Sequence, residues 1–238
     1  MKNMQQIIEQ PMQGQVHRHE WFRPDNADHC VLIYPTWAGI TDFERSIAER
    51  LNAAGLETVI VDFFGSAHDL STLESRREAM LSHTGDFVGM TAHLQTLNDW
   101  VRQQLPGQAG RAHTTSILGF CLGGMCALMS GQTQSGFANA ISFHGLLSFP
   151  KDAPPSDPAT RFMILNGQTD PMVPDTDIRA VQHYLEAHQQ ELTFINFSRT
   201  LHSFTLPGAD NPSNGVQYKP EVAERSWRYA LDLLLHPS

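Results

Sequence analysis

Apolar residues along this chain fall into two kinds of segment that take turns. Short, nearly unbroken apolar runs suit buried strands, and longer stretches with apolar positions every three or four residues suit helices with one buried side. Val31-Leu-Ile-Tyr34 is the first clear run, and it leads into the loop Pro35-Thr-Trp-Ala-Gly39. From Thr41 to Ala54 the residues Phe43, Ile47, Leu51 and Ala54 recur at helical spacing, and Gly55 supplies a stop. Thr58-Val-Ile-Val61 predicts a buried strand ending at Asp62, which reads as a structural turn residue. Residues 72 to 81 predict a short helix. A longer one runs from about Asp86 to Gln104, with Met90, Leu94, Leu97 and Val101 on one face, until Leu105-Pro-Gly-Gln-Ala-Gly110 breaks it.

The alternation continues to the end. Thr115-Ser-Ile-Leu118, Ala140-Ile-Ser-Phe143, Phe162-Met-Ile-Leu165 and Leu192-Thr-Phe-Ile-Asn-Phe197 predict strands. Helices are expected from Leu122 onward, from about Thr176 to His188, and from about Pro220 to Leu235, where proline fits a first turn. Near the N-terminus Val16, His19, Trp21 and Phe22 predict one small strand, on which His17 and His19 read as exposed. Strands separated by helices predict an α/β protein with a mostly parallel central sheet and helices on both faces. The proline-rich stretch Phe149 to Pro158 is short enough for a surface loop, so a single domain over residues 1–238 is expected.

Composition narrows the function. Hydrophobic residues make up 41% and charged residues 17%, a globular balance. A formal net charge of −9 without any lysine- or arginine-rich block argues against nucleic acid or an anionic membrane as partner. No segment approaches the roughly 18 apolar residues of a membrane span, and Met1 to Gln10 lacks the apolar core of a secretory signal. The expectation is a soluble, cytoplasmic monomer that meets a small molecule. The three cysteines, Cys30, Cys121 and Cys126, include no CxxC pair, which excludes a disulfide framework or a cysteine zinc site. No P-loop and no strand-linked GxGxxG occurs, so nucleotide binding has no support, and His17 and His19 lack a third ligand, so no metal is expected.

One cysteine has unusual surroundings. Gly119-Phe-Cys-Leu-Gly-Gly124 joins a predicted strand to a predicted helix, the setting of a nucleophile elbow with cysteine in place of serine. Glycines suit a turn so tight that side chains would collide with the neighbouring strand and helix. The helix that follows would offer its free N–H groups, that of Leu122 first, to an oxyanion, and its dipole would favour a thiolate. A buried structural cysteine in a glycine-rich turn is the plain alternative. Two further residues weigh against it. Asp170, in Asn166-Gly-Gln-Thr-Asp-Pro-Met-Val-Pro174, and His202, in Thr200-Leu-His-Ser-Phe204, each follow a predicted strand. Nucleophile, acid and histidine thus occur in the chain order of α/β hydrolases, at strand ends where such sheets gather their sites.

Gly119-Phe-Cys-Leu-Gly-Gly124, Gly167-Gln-Thr-Asp-Pro171 and His202-Ser-Phe-Thr-Leu-Pro-Gly-Ala209 resemble the dienelactone hydrolase family. Val31 to Gly39, Val59-Ile-Val-Asp-Phe-Phe64 and Arg225-Ser-Trp227 are also similar, and the resemblance covers about residue 14 to the end. It implies the α/β-hydrolase fold and a cofactor-free carboxylic ester hydrolase that cleaves an ester or lactone through an acyl-enzyme. The implied triad is Cys121, His202 and Asp170, and the implied oxyanion hole pairs the backbone N–H groups of Leu122 and Trp37. The chain departs from the best-known members in two places. Thr36 stands where they carry a glutamate beside the thiol, and no arginine follows His202 to hold a substrate carboxylate. Arg76 and Arg77 lie near another expected arginine position, or form the solvated face of a short helix. Thr36 and His144, the latter just after a strand, are candidate substrate contacts. Two other readings stand beside the esterase: a non-catalytic ligand-binding protein on the same fold, and a thioesterase.

Overall fold

The computed structural model describes residues 4–25, 27–105 and 114–236. Within them the chain forms two compact units, Met1–Ser116 and Ile117–Ser238. The predicted break at 105–110 lies, from residue 106 on, outside the described residues.

The first unit contains strands β1 (Met4–Met12), β2 (Gln15–Arg23), β3 (His29–Tyr34) and β4 (Glu57–Ile60), with helices α1 (Asp42–Ala53), α2 (Leu73–Thr84) and α3 (Phe87–Gln104). Its strands lie in the order β1-β2-β4-β3. β1 pairs antiparallel with β2, β2 antiparallel with β4, and β3 parallel with β4. β3 and β4 are buried throughout, which explains their unbroken apolar runs. α1 packs on β2 and β4. It starts at a capping box in which the Thr41 hydroxyl accepts from Phe43 N and the Glu44 carboxylate accepts from Thr41 N. Met90, Leu94, Leu97 and Val101 of α3 are buried as their spacing predicts. Each such burial contributes about 1.5–3 kcal/mol of transfer free energy.

The N-terminal segment differs from the expectation. In place of one small strand there is a hairpin of two nine-residue strands, β1 and β2. Gln13 and Gly14 form its two-residue turn with φ of 52° and 81°, the positive angles that match strand twist. β1 is hard to read because it is an edge strand that is mostly exposed between Gln5 and Glu9 and contains Pro11. His17 and His19, read as exposed, are fully buried. Their alternation marks the inward side of β2, and α3 supplies the cover, with His93 5.4 Å from His17 and Trp100 5.5 Å from His19 between ring centroids. Ala54, placed on the buried face of α1, is exposed because it is the helix C-cap.

The second unit contains β5 (Thr114–Phe120) from Ile117 on, then α4 (Leu122–Thr133), β6 (Asn139–Phe143), β7 (Arg161–Gly167), α5 (Asp175–Ala187), β8 (Leu192–Phe197) and α6 (Pro220–Leu235). These four strands are parallel, in the order β5-β6-β7-β8, and a separate two-stranded antiparallel pair is formed by Asp210–Asn211 and Val216–Gln217. α4 and α6 pack on β6, and α5 packs on β8. Every residue of α4 from Leu122 to Gln132 is buried, so this helix has no polar face. The mostly parallel sheet with intervening helices is the α/β-hydrolase architecture. Among the described residues, no helix is long and apolar enough to cross a membrane.

Candidate active site

Cys121 occupies the N-cap of α4, directly after β5, with φ 54° and ψ −115°. Positive φ is costly for any side chain beyond glycine, and such strain persists only where the surroundings enforce it. Here Cys121 N donates to Phe143 O at 3.1 Å, while Cys121 O accepts from Gly124 N and Met125 N at 3.0 and 3.3 Å. The glycines around it are needed for space. A side chain at Gly119 would run into the Gly123 carbonyl, and one at Gly124 would come within 2.7 Å of Gly145 Cα. Of the three cysteines, Cys30 and Cys126 are buried and Cys121 is partly exposed. Burial pushes the Cys30 and Cys126 thiols well above their ordinary value, which leaves them inert small hydrophobes. Cys121 makes no side-chain capping bond, so its own cap does not occupy the first N–H groups of α4, that of Leu122 leading.

Asp170 sits in the turn after β7. Its backbone N donates to Gly167 O at 3.1 Å, and its Oδ1 accepts from Met172 N at 2.8 Å. Oδ2 is left for His202, whose Nδ1 lies 2.6 Å away. Both side chains are almost wholly shielded from solvent. A buried, charge-assisted hydrogen bond of this length contributes about 1.5–3 kcal/mol and fixes the imidazole tautomer. The loop carrying His202 is held against the Asp170 turn, because Thr169 N and Thr169 Oγ1 both donate to Thr200 O at 3.0 Å. Gly167 permits this approach, since a Cβ there would meet Leu201 O at 2.8 Å. His202 itself bridges to Val216, donating from N to Gly215 O and accepting at O from Gln217 N.

The second ring nitrogen of His202, Nε2, is buried and, apart from its interaction with Cys121, unpaired within the described residues. Burial by itself would lower the pKa of His202. The attraction of Cys121 in its thiolate form, hydrogen bonds to Asp170 and Cys121, and the Asp170 charge act against it and push the imidazole up to about 10. The second unit thus brings Cys121, Asp170 and His202 together as a cysteine, a partnered imidazole and its carboxylate.

A sequence model of the dienelactone hydrolase family matches residues 19–237 of this chain. The chain belongs to the dienelactone hydrolase family. It is a hydrolase of the kind that acts on esters or lactones. A Bradyrhizobium protein named a probable 2-oxo-3-(5-oxofuran-2-ylidene)propanoate lactonase is 24% identical over 213 residues, covering 85% of this chain and 81% of that one. Among solved structures, one named m3DLH is 24% identical, with a TM-score of 0.86 over 98% of both chains. A dienelactone hydrolase-like promiscuous phosphotriesterase from metagenomic libraries is 21% identical, with a TM-score of 0.85 over 98% of both chains. At these identities the solved structures speak to the fold.

The remaining candidates of this dienelactone hydrolase chain lie as follows. Thr36 and Trp37 follow β3 in the first unit, Thr36 buried and Trp37 half-buried. Thr36 Oγ1 accepts from Ala38 N, and Thr36 N donates to Glu44 Oε1 at 3.3 Å. Arg76 and Arg77 are on α2, where Arg76 donates to Leu70 O at 2.6 Å and Arg77 is exposed. His144, expected at the substrate, is fully buried, with Nε2 2.7 Å from Thr205 Oγ1. Two residues were missed. Glu44, buried in α1 with its pKa raised by burial, was signalled by the Thr-x-x-Glu spacing of a capping box. Thr205 had no sequence signal, because only the fold sets it against His144. Among the described residues no group of three His, Cys, Asp or Glu side chains is arranged to hold a metal ion.

Proposed function

We propose that this dienelactone hydrolase family member cleaves ester or lactone bonds of small molecules with Cys121 as nucleophile, His202 as proton carrier and Asp170 as the group that orients it. The observation that carries the reading is the buried 2.6 Å bond from His202 Nδ1 to Asp170 Oδ2. It leaves Nε2 as the free end of a ring close enough to Cys121 to have its proton affinity raised by the sulfur's charge.

In this scheme the resting site is an imidazolium–thiolate pair. Cys121 Sγ attacks the carbonyl carbon and forms a C–S bond, while the N–H of Leu122 donates to the oxyanion. As the intermediate collapses, the C–O bond breaks and His202 gives its Nε2 proton to the leaving oxygen. His202 then takes a proton from water, which attacks the acyl carbon. The C–S bond breaks, and the acid leaves with thiolate and imidazolium restored. A thiolate is a good leaving group, which suits this chemistry to esters and enol-lactones rather than amides.

The test is a panel of aryl esters, alkyl esters, lactones, thioesters and a phosphotriester, run on the wild type and on Cys121→Ala. The expected result is turnover of at least one oxygen ester or lactone that iodoacetamide abolishes and Cys121→Ala lacks. Full activity in Cys121→Ala would sink the nucleophile assignment, and faster turnover of thioesters than oxygen esters would move the reading to a thioesterase.

A further inference from the structure

The fully buried histidine beside His202 has no part in the scheme above. His144 follows β6 with φ 40°, in the left-handed region, a conformation unfavourable for a ring-bearing side chain. Its backbone is fixed, because His144 N donates to Leu165 O at 2.8 Å. The ring stands between the strand that carries Cys121 and the loop that carries His202. Its centroid lies 6.1 Å from Phe120, 5.1 Å from His202 at an interplanar angle of 69°, and 5.1 Å from Phe204 at 80°. Nε2 meets the Thr205 hydroxyl at 2.7 Å, and Nδ1 is buried without a partner among the described residues. An unpaired lone pair is less costly than an unpaired N–H, so the proton belongs on Nε2, donated to Thr205 Oγ1.

We infer that His144, locked by Thr205, is a positioning residue that holds the His202 ring at the angle from which Nε2 serves Cys121. The inference rests on the proposed roles of Cys121 and His202. Three features support it. The edge-to-face contact fixes the plane of His202, whose tether at Asp170 constrains one nitrogen but leaves the ring free to rock. The Thr205 bond ties that contact to the same short loop, His202 to Thr205, so ring and support move together. Burial first, and the charge of His202 second, keep His144 well below its usual pKa, and among the described residues His202 is the titratable group acting on it. His144 is therefore neutral while His202 carries its proton, so it supports the imidazolium without competing for the charge.

The first measurement needs no substrate. Iodoacetamide labelling of Cys121, followed by mass spectrometry across pH, reports how readily the thiolate forms beside His202. Thr205→Val, nearly isosteric, and His144→Phe, which keeps a ring, are each expected to slow labelling at about pH 6 by about fivefold or more, because the support is lost while the charges remain. His144→Gln, which can still donate to Thr205 but brings no ring to His202, should stay as slow as His144→Phe, because ring and lock are both needed. The double variant should be no worse than the poorer single one, as for residues acting as one unit. An unchanged profile in Thr205→Val overturns the inference. So does a loss in His144→Phe that follows its thermal unfolding while Thr205→Val labels like wild type. Ester turnover by Cys121→Ala separates the two failures. If that variant stays active, the nucleophile reading falls; if it is dead and Thr205→Val is unaffected, the role of His144 alone falls.

Discussion

At the residue scale, the free nitrogen of His202 decides what Cys121 can be. A thiol in a glycine-rich turn is a common packing choice, but a partly exposed thiol next to a carboxylate-anchored imidazole is placed to exchange a proton. In the proposed scheme the proton rests on the His202 ring, in keeping with the upward push on its pKa, and the first proton transfer runs toward the leaving group. Rate measurements on two substrates test this. Turnover of an alkyl ester, whose leaving oxygen needs that proton, should fall as pH rises through about 10, whereas an aryl ester should hold its rate further. Asp170→Asn should lower kcat by about 100-fold or more with little change in far-UV circular dichroism, because the amide NH2 can donate to Nδ1 and favour the wrong tautomer of the imidazole. Retention of wild-type kcat would show that the 2.6 Å bond is only structural.

At the element scale, the junction of β5 and α4 is built around missing side chains. Gly119 and Gly124 let the helix start close against the strand and leave Cys121 at positive φ. Gly124→Ala is expected to destabilise the protein by about 1–3 kcal/mol in urea unfolding, since the contact at 2.7 Å to Gly145 Cα is backbone and cannot rotate away. The N-terminal hairpin makes a different demand. His19 accepts from Asp62 N at Nδ1 and reaches Gln10 Oε1 from Nε2, a pairing that needs the neutral ring. His17, His83 and His93 cluster nearby as tilted rings, with centroids 5.4 Å apart for His17 and His93 and 4.9 Å for His83 and His93. Burial first, then neighbouring histidines, lowers His19 to about 3 and His83 to about 4. In the unfolded chain both protonate near the ordinary histidine value of about 6.5. Between those values unfolding takes up protons, so stability falls as pH drops from about 6.5 toward about 4 and is unaffected by these groups above it. Urea midpoints at neutral pH and in that acid window measure this. His83→Phe should flatten the dependence, and an equally steep acid loss in that variant would assign it elsewhere.

At the scale of the whole molecule, thiol accessibility gives a direct check. Iodoacetamide should modify one cysteine of the native protein, Cys121, and all three after denaturation, because Cys30 and Cys126 are buried. Most of the architecture is legible along the chain. Parallel strands buried on both faces read as apolar runs, helices with one wet face repeat every three or four residues, and glycine punctuation falls where backbones approach. The family motifs around Cys121, Asp170 and His202 are legible for a related reason, since each is a local turn whose chemistry sits in consecutive residues. Other features are set by neighbours distant in sequence. β1 is an edge strand whose polar residues face out, so no periodicity marks it. His17, His19 and His144 look like surface or substrate histidines until helix and loop close over them. Thr205 gains its part only because the loop after β8 folds back beside β6. The sequence by itself determined the order of the main elements from β3 to α6, the family and the three residues of the proposed triad, because those depend on local pattern and spacing. The tertiary structure alone decided the 2.6 Å bond that turns His202, the shielding that sets histidine charge, and the support of His144, because burial and long-range hydrogen bonds are properties of packing.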